Sequence, residues 1–220
     1  MSADATGVIA RRAAGEVFDG ALVNLGIGIP LMIPGYLDPG VRCIVHQESG
    51  YVGMGPSARP GEEDPTITDA AGNRVTMVPG ASCFDSAVSF ALVRGGRLDI
   101  AFLGALEVDA QGNLANWIIP GKWQPGMGGG MELAQKARKV VVTMRHTDKH
   151  GRPKILEQCK LPLTAARAVD VIITDLAVFE VHPSGLLLTG LAEGVDQKQV
   201  AERTEARFSI VDNPSVFSDH

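Results

Sequence analysis

The 220-residue chain carries 20 Lys and Arg against 25 Asp and Glu, a formal net charge of −5 at pH 7. This acidic balance argues against a general nucleic-acid-binding protein, which needs a positive surface to face phosphates. Hydrophobic residues make up 45% and charged residues 20% of the chain, as in ordinary globular proteins, and the length suits one domain over residues 1–220. The apolar runs are broken by Gly, Pro and Asn, so no membrane span is expected.

The three cysteines, Cys43, Cys83 and Cys159, lie far apart and include no Cys-x-x-Cys pair. A disulfide framework or a zinc site is therefore not expected, and a cytoplasmic location fits this cysteine usage. The first residues lack the charged and apolar regions of a signal peptide. The histidines form no helical ligand pair with a carboxylate, so we expect no metal site.

In chain order, the hydrophobic pattern predicts short strands that alternate with helices. The first half comprises a helix at 6–19, strands at 21–25 and 41–46, a loop or hairpin at 56–74, a helix at 82–94 and a strand at 98–103. The second half comprises a loop at 119–130, a helix at 131–138, strands at 139–144, 169–174, 178–181 and 186–188, and a polar helix at 195–206. In the 82–94 helix, Phe84, Val88 and Ala91 share one apolar face. The order predicts an α/β fold with a mostly parallel sheet covered by helices.

Two nucleotide-binding signatures fail on inspection. Gly26 and Gly28 begin like a dinucleotide fingerprint, but Pro30 and Leu31 follow where the third glycine would be needed. Gly121-Lys122 is followed by Trp, so it is not a phosphate-binding Walker loop. Neither segment supports a nucleotide enzyme of these classes.

Glu48 is an acidic residue in an unusual position, directly after a predicted buried strand and before Ser49-Gly50. The carboxyl ends of strands in an α/β sheet open onto the ligand crevice, so Glu48 can meet a substrate there. Strand alternation puts His46 and Glu48 on one face if the extended conformation continues. The residues alone leave a second interpretation open, in which Glu48 caps a turn and His46 is a core histidine.

A glycine-rich loop at 126–130 runs into the helix predicted from Met131. Consecutive glycines allow backbone N–H groups to point inward, and the start of a helix favours negative charge. Such a loop suits an oxyanion or a phosphate, although many glycine-rich turns are only tight connections. Its value lies in the combination with a carboxylate at a strand end.

Over residues 5–212 the sequence resembles the B (beta) subunits of family I coenzyme A transferases, the 3-oxoacid group. The matching runs occur in the family's order: residues 24–30, 48–50, 53–56, 79–82, 89–91, 94–96, 116–122, 126–131 and 159–164. One departure is Ser49, where many relatives have Asn beside the glutamate. This substitution leaves the nucleophile in place and bears on substrate choice.

The resemblance implies a CoA-transferase or sugar-isomerase-like open α/β domain and a role for each matching residue. Glu48 is implied as the nucleophile of ping-pong catalysis, with the backbone N–H of Gly129 as an oxyanion donor. Asn24 and the turn from Gly26 to Gly28 are implied to bind the pantetheine arm of CoA, and Gly128 is assigned to the same substrate. CoA enters as acyl-CoA, and no permanently bound cofactor is expected.

The resemblance also implies a partner, the A (alpha) subunit, in an A₂B₂ heterotetramer with the active site between A and B. The expected donor is succinyl-CoA and the acceptor a 3-oxoacid such as acetoacetate or 3-oxoadipate, with acetate or butyrate as further options. Two alternatives stay open: an acyl-CoA hydrolase, in which water intercepts the Glu48 thioester, and a non-catalytic metabolite-sensing or scaffold subunit.

Residues 121–160 form a basic stretch, because nine Lys or Arg there face only three acidic residues, a local charge of +6. A solvated face, a subunit contact and a site for the CoA phosphates all fit this pattern.

Overall fold

The computed structural model describes residues 5–122 and 126–218, and a ten-stranded sheet forms its centre. The helices are α1 (Ala5–Ala14), α2 (Ser86–Arg94), α3 (Gly130–Lys136) and α4 (Gln197–Ala201), with a 3₁₀ helix at Ile29–Tyr36. The strands are β1 (Leu22–Leu25), β2 (Ile44–Gln47), β3 (Tyr51–Ser57), β4 (Val75–Cys83), β5 (Ile100–Gly104), β6 (Glu107–Asp109), β7 (Leu114–Ala115), β8 (Lys139–Thr143), β9 (Ile155–Leu156), β10 (Val171–Ile173), β11 (Ala177–His182), β12 (Gly185–Ala192) and β13 (Phe208–Phe217).

The large sheet has the order β13-β12-β11-β10-β8-β5-β1-β2-β3-β4. Its five central strands, from β10 to β2, are all parallel to their neighbours. Antiparallel pairs flank this centre, with β2, β3 and β4 on one side and β10, β11 and β12 on the other. The predicted fold class, an α/β domain with a mostly parallel sheet, is confirmed.

Each face of the sheet is covered by its own hydrophobic core, as the apolar central strands require. Alternation along β8 sends Val141 to one core and Val140 and Val142 to the other. The Val141 core is closed by α1 and the 3₁₀ helix, and the opposite core by α2 and α3. The strands β7, β6 and β9 form a separate three-stranded sheet.

Several predicted boundaries were wrong. The first helix ends at Ala14 rather than at residue 19, because Glu16 and Val17 bond back to Ala13 and Ala14 in tight turns. The helix predicted at 82–94 begins at Ser86, since Asp85 caps it by accepting from the backbone N–H of Val88 at 2.8 Å. The predicted last helix, 195–206, is confined to Gln197–Ala201.

The buried face of α2 also differs from the predicted one. Val88 and Ala91 are exposed, and Ser89 and Val93 point into the structure instead. The apolar pattern missed this because one of the buried positions carries a hydroxyl. None of the helices in the described part of the chain has the length and apolarity that crossing a bilayer requires.

Candidate active site

Glu48 lies in a tight turn that links the last parallel strand, β2, to the antiparallel strand β3. The turn is closed by a hydrogen bond from the backbone N–H of Gly50 to the carbonyl of Gln47 at 3.1 Å. Gly50 has φ of +137°, and any side chain there would collide with the carbonyl oxygen of Phe84. The chain reversal therefore fixes Glu48, half-buried, at the carboxyl end of the parallel strands.

Asn24 holds the Glu48 carboxylate from the neighbouring strand. In the β1–β2 register Asn24 is the partner of His46, so the two side chains lie next to each other. The side-chain nitrogen of buried Asn24 donates to Oε2 of Glu48 at 3.0 Å and to the backbone carbonyl of His46 at 3.1 Å. A hydrogen bond to a charged group of this kind is stronger than one between neutral partners.

His46 is buried behind Asn24 and also contacts α2. Its Nδ1 lies 3.3 Å from the side-chain nitrogen of Asn24, and its Nε2 lies 2.8 Å from the hydroxyl of Ser89. Burial lowers the pKa of His46, while the charge of Glu48 acts in the opposite direction. Glu48 itself lies beyond the end of β2, so strand alternation does not continue to it, but His46 and Glu48 both contact the amide of Asn24.

The glycine-rich loop packs against Glu48. An alanine Cβ at Gly129 would lie 3.1 Å from Cγ of Glu48 and 3.0 Å from Cζ of Phe90, so the backbone of Gly129 lies directly beside the carboxylate side chain. Gly128 has φ of +55°, a left-handed conformation in an open position. Part of the loop predicted at 119–130, residues 123–125, lies outside the described residues.

These elements enclose a cleft of about 540 Å³. Predicted site residues that line it are Asn24, Gly26, Glu48, Gly128 and Gly129. Among the described residues that line the cleft, Glu48 carries the only charged side chain. Gly26 closes one wall, since its N–H donates to the carbonyl of Phe102 at 2.8 Å.

Gly28 is the one predicted site residue outside this lining. It lies on an exposed turn before the 3₁₀ helix with φ of +90°, and an added Cβ would meet nothing within 4 Å. Its positive φ explains the glycine through backbone conformation.

Sequence reasoning assigned no role to Ser89, Asn116 or Trp117, although all three lie in or beside the site. Asn116 lines the cleft, donates to the carbonyl of Gly104 at 3.0 Å and accepts from the hydroxyl of Thr164 at 2.6 Å. Trp117 lines the same cleft. All three residues belong to the runs that resemble the family, and this could have pointed to them. Ser89 could also have been noticed as a polar residue in an otherwise apolar helix.

Most of the basic stretch at 121–160 is used within the chain. Five of its nine cationic side chains form ion pairs: Arg138–Asp99, Lys139–Glu16, Arg145–Asp175, Arg152–Asp148 and Lys160–Glu205. Lys154 donates to the carbonyl of Ala105 at 2.8 Å, and burial lowers its pKa to about 8. These contacts favour a structural role for much of this charge.

Comparison with known proteins finds matches over most of the chain. The family profile described as Coenzyme A transferase matches residues 8–203. The chain is 47% identical to the beta subunit of the acetate CoA-transferase of Escherichia coli K12, over 94% of each chain. It is 45% identical to the B-type subunit of the succinyl-CoA:3-ketoacid coenzyme A transferase of Helicobacter pylori 26695, over 92% of this chain and 97% of that one.

A solved structure shows the same fold. The crystal structure of an acyl-CoA transferase (YdiF) apoenzyme from Escherichia coli O157:H7 superposes with a TM-score of 0.77 and 25% identity. The match covers 100% of this chain and 44% of the larger one. With a family profile that spans most of its length and full-length relatives above 40% identity, the chain belongs to the coenzyme A transferase family.

Proposed function

We propose that this chain is the beta subunit of a transferase that moves CoA from an acyl-CoA to a carboxylic acid through a covalent glutamyl-CoA thioester on Glu48. One observation carries the proposal. Glu48 is the only charged side chain among the described residues lining the cleft, and it is held there by Asn24 and packed against the backbone of Gly129. A positioned carboxylate can act as the nucleophile toward a thioester, and the adjacent loop backbone can supply N–H donors to the oxyanion.

The first half of the reaction makes and then resolves an anhydride. An oxygen of Glu48 attacks the thioester carbonyl carbon, the carbon–sulfur bond breaks, and CoA leaves as a thiolate. The thiolate then attacks Cδ of Glu48, the anhydride carbon–oxygen bond breaks, and the acid leaves as a carboxylate. The glutamyl-CoA thioester that remains is the covalent intermediate.

The second half reverses these steps with the acceptor. Its carboxylate attacks Cδ of the thioester and releases the CoA thiolate, which attacks the acceptor's acyl carbon. The carbon–oxygen bond to Glu48 breaks, and the new acyl-CoA and the free carboxylate are formed. The Gly129 N–H is proposed as a donor to the oxyanions, and losing one such donor typically costs about 3 kcal/mol of barrier.

CoA is proposed to enter as a substrate along the wall formed by Gly26 and Gly128, which both line the cleft. Asn24 has a second proposed role there, since its amide reaches Glu48 and is also part of the lining. Gly28 contributes through the conformation of the turn after β1. We also place the reaction in the cytoplasm, which fits free thiols at Cys43, Cys83 and Cys159.

The partner is proposed to be an A subunit in an A₂B₂ heterotetramer, with the cleft closed by the partner. Large apolar side chains are exposed on the elements that surround the site: Val78 on β4 is 44% exposed, Val88 on α2 46% and Met131 on α3 44%. A partner that covers this side of the cleft would bury these groups. The names of the relatives, as beta or B subunits, support the existence of a partner subunit.

The proposed donor is succinyl-CoA and the acceptor a 3-oxoacid such as acetoacetate or 3-oxoadipate, as the name of the Helicobacter relative suggests. The name of the Escherichia relative points to acetate instead. The described lining residues include no Lys or Arg, so a second carboxylate on the acyl group would need a cation from the partner subunit. Rates with succinyl-CoA and acetyl-CoA, measured on the assembled enzyme, decide between them.

The test of the mechanism uses the chain reconstituted with its A subunit. Acyl-CoA is added without acceptor, and mass spectrometry of the intact protein and of its peptides detects CoA attached to Glu48. We expect the adduct in the wild type and none in Glu48→Ala. Transfer activity retained by Glu48→Ala, or an adduct on another residue, would overturn the proposal.

The acyl-CoA hydrolase is the second candidate, because water can also attack a glutamyl thioester. Addition of a carboxylic acid acceptor separates the two: a transferase forms a new acyl-CoA, whereas a hydrolase releases free CoA at a rate that the acceptor does not change.

A further inference from the structure

A chain of hydrogen-bonding groups runs from α2 through the sheet to Glu48. Ser89, His46 and Asn24 are all fully buried, and each contacts the next before Asn24 reaches the carboxylate. Only the last two members line the cleft. The following inference rests on the proposed role of Glu48 as the nucleophile.

The orientation of the Asn24 amide is fixed by what surrounds it. Its side-chain nitrogen faces Oε2 of Glu48 at 3.0 Å, the carbonyl oxygen of His46 at 3.1 Å and Nδ1 of His46 at 3.3 Å. A carboxylate and a backbone carbonyl can only accept hydrogen bonds, so the NH₂ end must point this way.

This orientation determines where the proton of His46 lies. The two hydrogens of the Asn24 NH₂ group serve three acceptors, of which Nδ1 is the farthest at 3.3 Å. A proton on Nδ1 would face these hydrogens donor against donor, so the ring proton belongs on Nε2. The Nε2–H then donates to the Ser89 hydroxyl at 2.8 Å, and this hydroxyl donates onward to the carbonyl of Gln47 at 3.2 Å. With the proton on Nε2 every donor in the chain has an acceptor, whereas a proton on Nδ1 would lack one.

A charged His46 would break the arrangement. A proton on Nδ1 would face the NH₂ group of Asn24, donor against donor. Turning the amide to relieve this contact would direct its oxygen at the Glu48 carboxylate. Burial favours the neutral ring, and Glu48 is the charged group that faces it.

We propose that His46 is a positioning residue: as an Nε2-protonated imidazole it adds Nδ1 to the acceptors that keep the Asn24 amide in the orientation that donates to Glu48. Ser89 selects the tautomer. The effect on the reaction should fall on the chemical step, because a nucleophile misplaced by about 1 Å can lose roughly 100-fold in rate. Binding of acyl-CoA should change little, since His46 does not line the cleft.

Two substitutions separate this role from simple packing. In His46→Asn the side-chain oxygen takes the position of Nδ1 and can accept from Asn24, but the side chain is smaller and leaves a cavity. In His46→Gln more of the volume is kept, but the acceptor at the Nδ1 position is lost. If His46 acts only through packing, the His46→Gln variant should be the more active of the two. If His46 acts as an acceptor, the His46→Asn variant should be the more active.

The experiment measures the rate of glutamyl-CoA thioester formation without acceptor, and the kcat and KM for acyl-CoA, in the assembled enzyme. We expect His46→Gln to lower thioester formation and kcat by about tenfold or more, with KM changed by less than about twofold. His46→Asn should recover a large part of that loss although its thermal midpoint is lower.

Equal rates in the two variants, a faster His46→Gln, or a rise in KM at constant kcat would overturn the proposal. Failure of the underlying function has a different signature, because the wild type would then form no adduct on Glu48 or Glu48→Ala would remain active.

Discussion

The backbone of Gly129 lies so close to the side chain of Glu48 that an added Cβ would be 3.1 Å from Cγ of the glutamate. Two segments that are 81 residues apart in the chain (129 minus 48) thus meet at the proposed nucleophile. A side chain on residue 129 would therefore press on Glu48 and Phe90, and one of them would have to move by a few tenths of an ångström. This contact can be tested directly.

Gly129→Ala should lower CoA transfer by about tenfold or more, because Glu48 or Phe90 must shift to make room and small displacements of a nucleophile have large effects on rate. Gly130→Ala is the matched control, since its Cβ would meet only Thr164, at 3.9 Å. Steady-state transfer rates and thermal midpoints of both variants are the measurement. Equal loss in the two variants would contradict the proposed contact.

Glu48→Asp should lower transfer by roughly 100-fold, because the loss of one methylene withdraws the carboxylate by about 1 Å or more from its reacting position. It should also weaken the hydrogen bond from Asn24, which is now 3.0 Å long. Glu48→Gln keeps the length but not the nucleophile, and should form no CoA adduct. Adduct formation is followed by intact mass; wild-type rates in Glu48→Asp would show that reach is unimportant.

Gly50→Ala should destabilise the chain by roughly 3 kcal/mol, because a Cβ in this left-handed position would collide with the carbonyl of Phe84. Gly20→Ala has a similar backbone problem, with φ of +82°, but meets nothing within 4 Å and should lose only about 1 kcal/mol. Urea unfolding of the two variants gives both values. The prediction is wrong if they are destabilised alike.

His146 should make stability fall in mild acid. The ring is buried between the hydroxyls of Thr174 and Thr204, each 2.9 Å from a ring nitrogen, and burial lowers its pKa to about 4. Asp175 opposes this shift and Arg203 adds to it. A histidine in an unfolded chain has a pKa of about 6.5, so the unfolded state takes up a proton before the folded state does as the pH falls.

The shifted pKa of His146 therefore contributes about 3 kcal/mol to the free energy of unfolding. This contribution is fully present above about pH 6.5 and is lost as the pH falls towards 4. Urea unfolding at a series of pH values, compared between the wild type and His146→Gln, measures it. The variant should be less stable near neutral pH but should lose less on acidification. Parallel pH profiles would exclude His146 as the cause.

The parallel centre of the sheet could be predicted because its strands are short, apolar runs. Those runs gave β1, β2, β5, β8 and β10 to within a few residues. The edge strands β4 and β13 were not predicted, since half-exposed strands carry polar residues and glycines that hide the pattern. The three-residue and two-residue strands of the small sheet are too short for periodicity to register.

The position of Glu48 after a strand was also readable from the sequence, and Gly129 came from resemblance. What the pattern did not contain is the partnership between Asn24 and Glu48, because the register of two parallel strands depends on tertiary packing. Ser89 was missed because a hydroxyl on the buried face of α2 does not register in an apolar pattern.

The tight turn between β2 and β3 limits where residues can be inserted or deleted during evolution. A residue inserted or deleted between Gln47 and Tyr51 would shift the antiparallel register by one and turn the side chains of β3 to the opposite face. The exposed first part of the segment between β3 and β4 can change length without shifting a strand, so indels that leave an active enzyme should concentrate at residues 59–64 and be missing from residues 47–51.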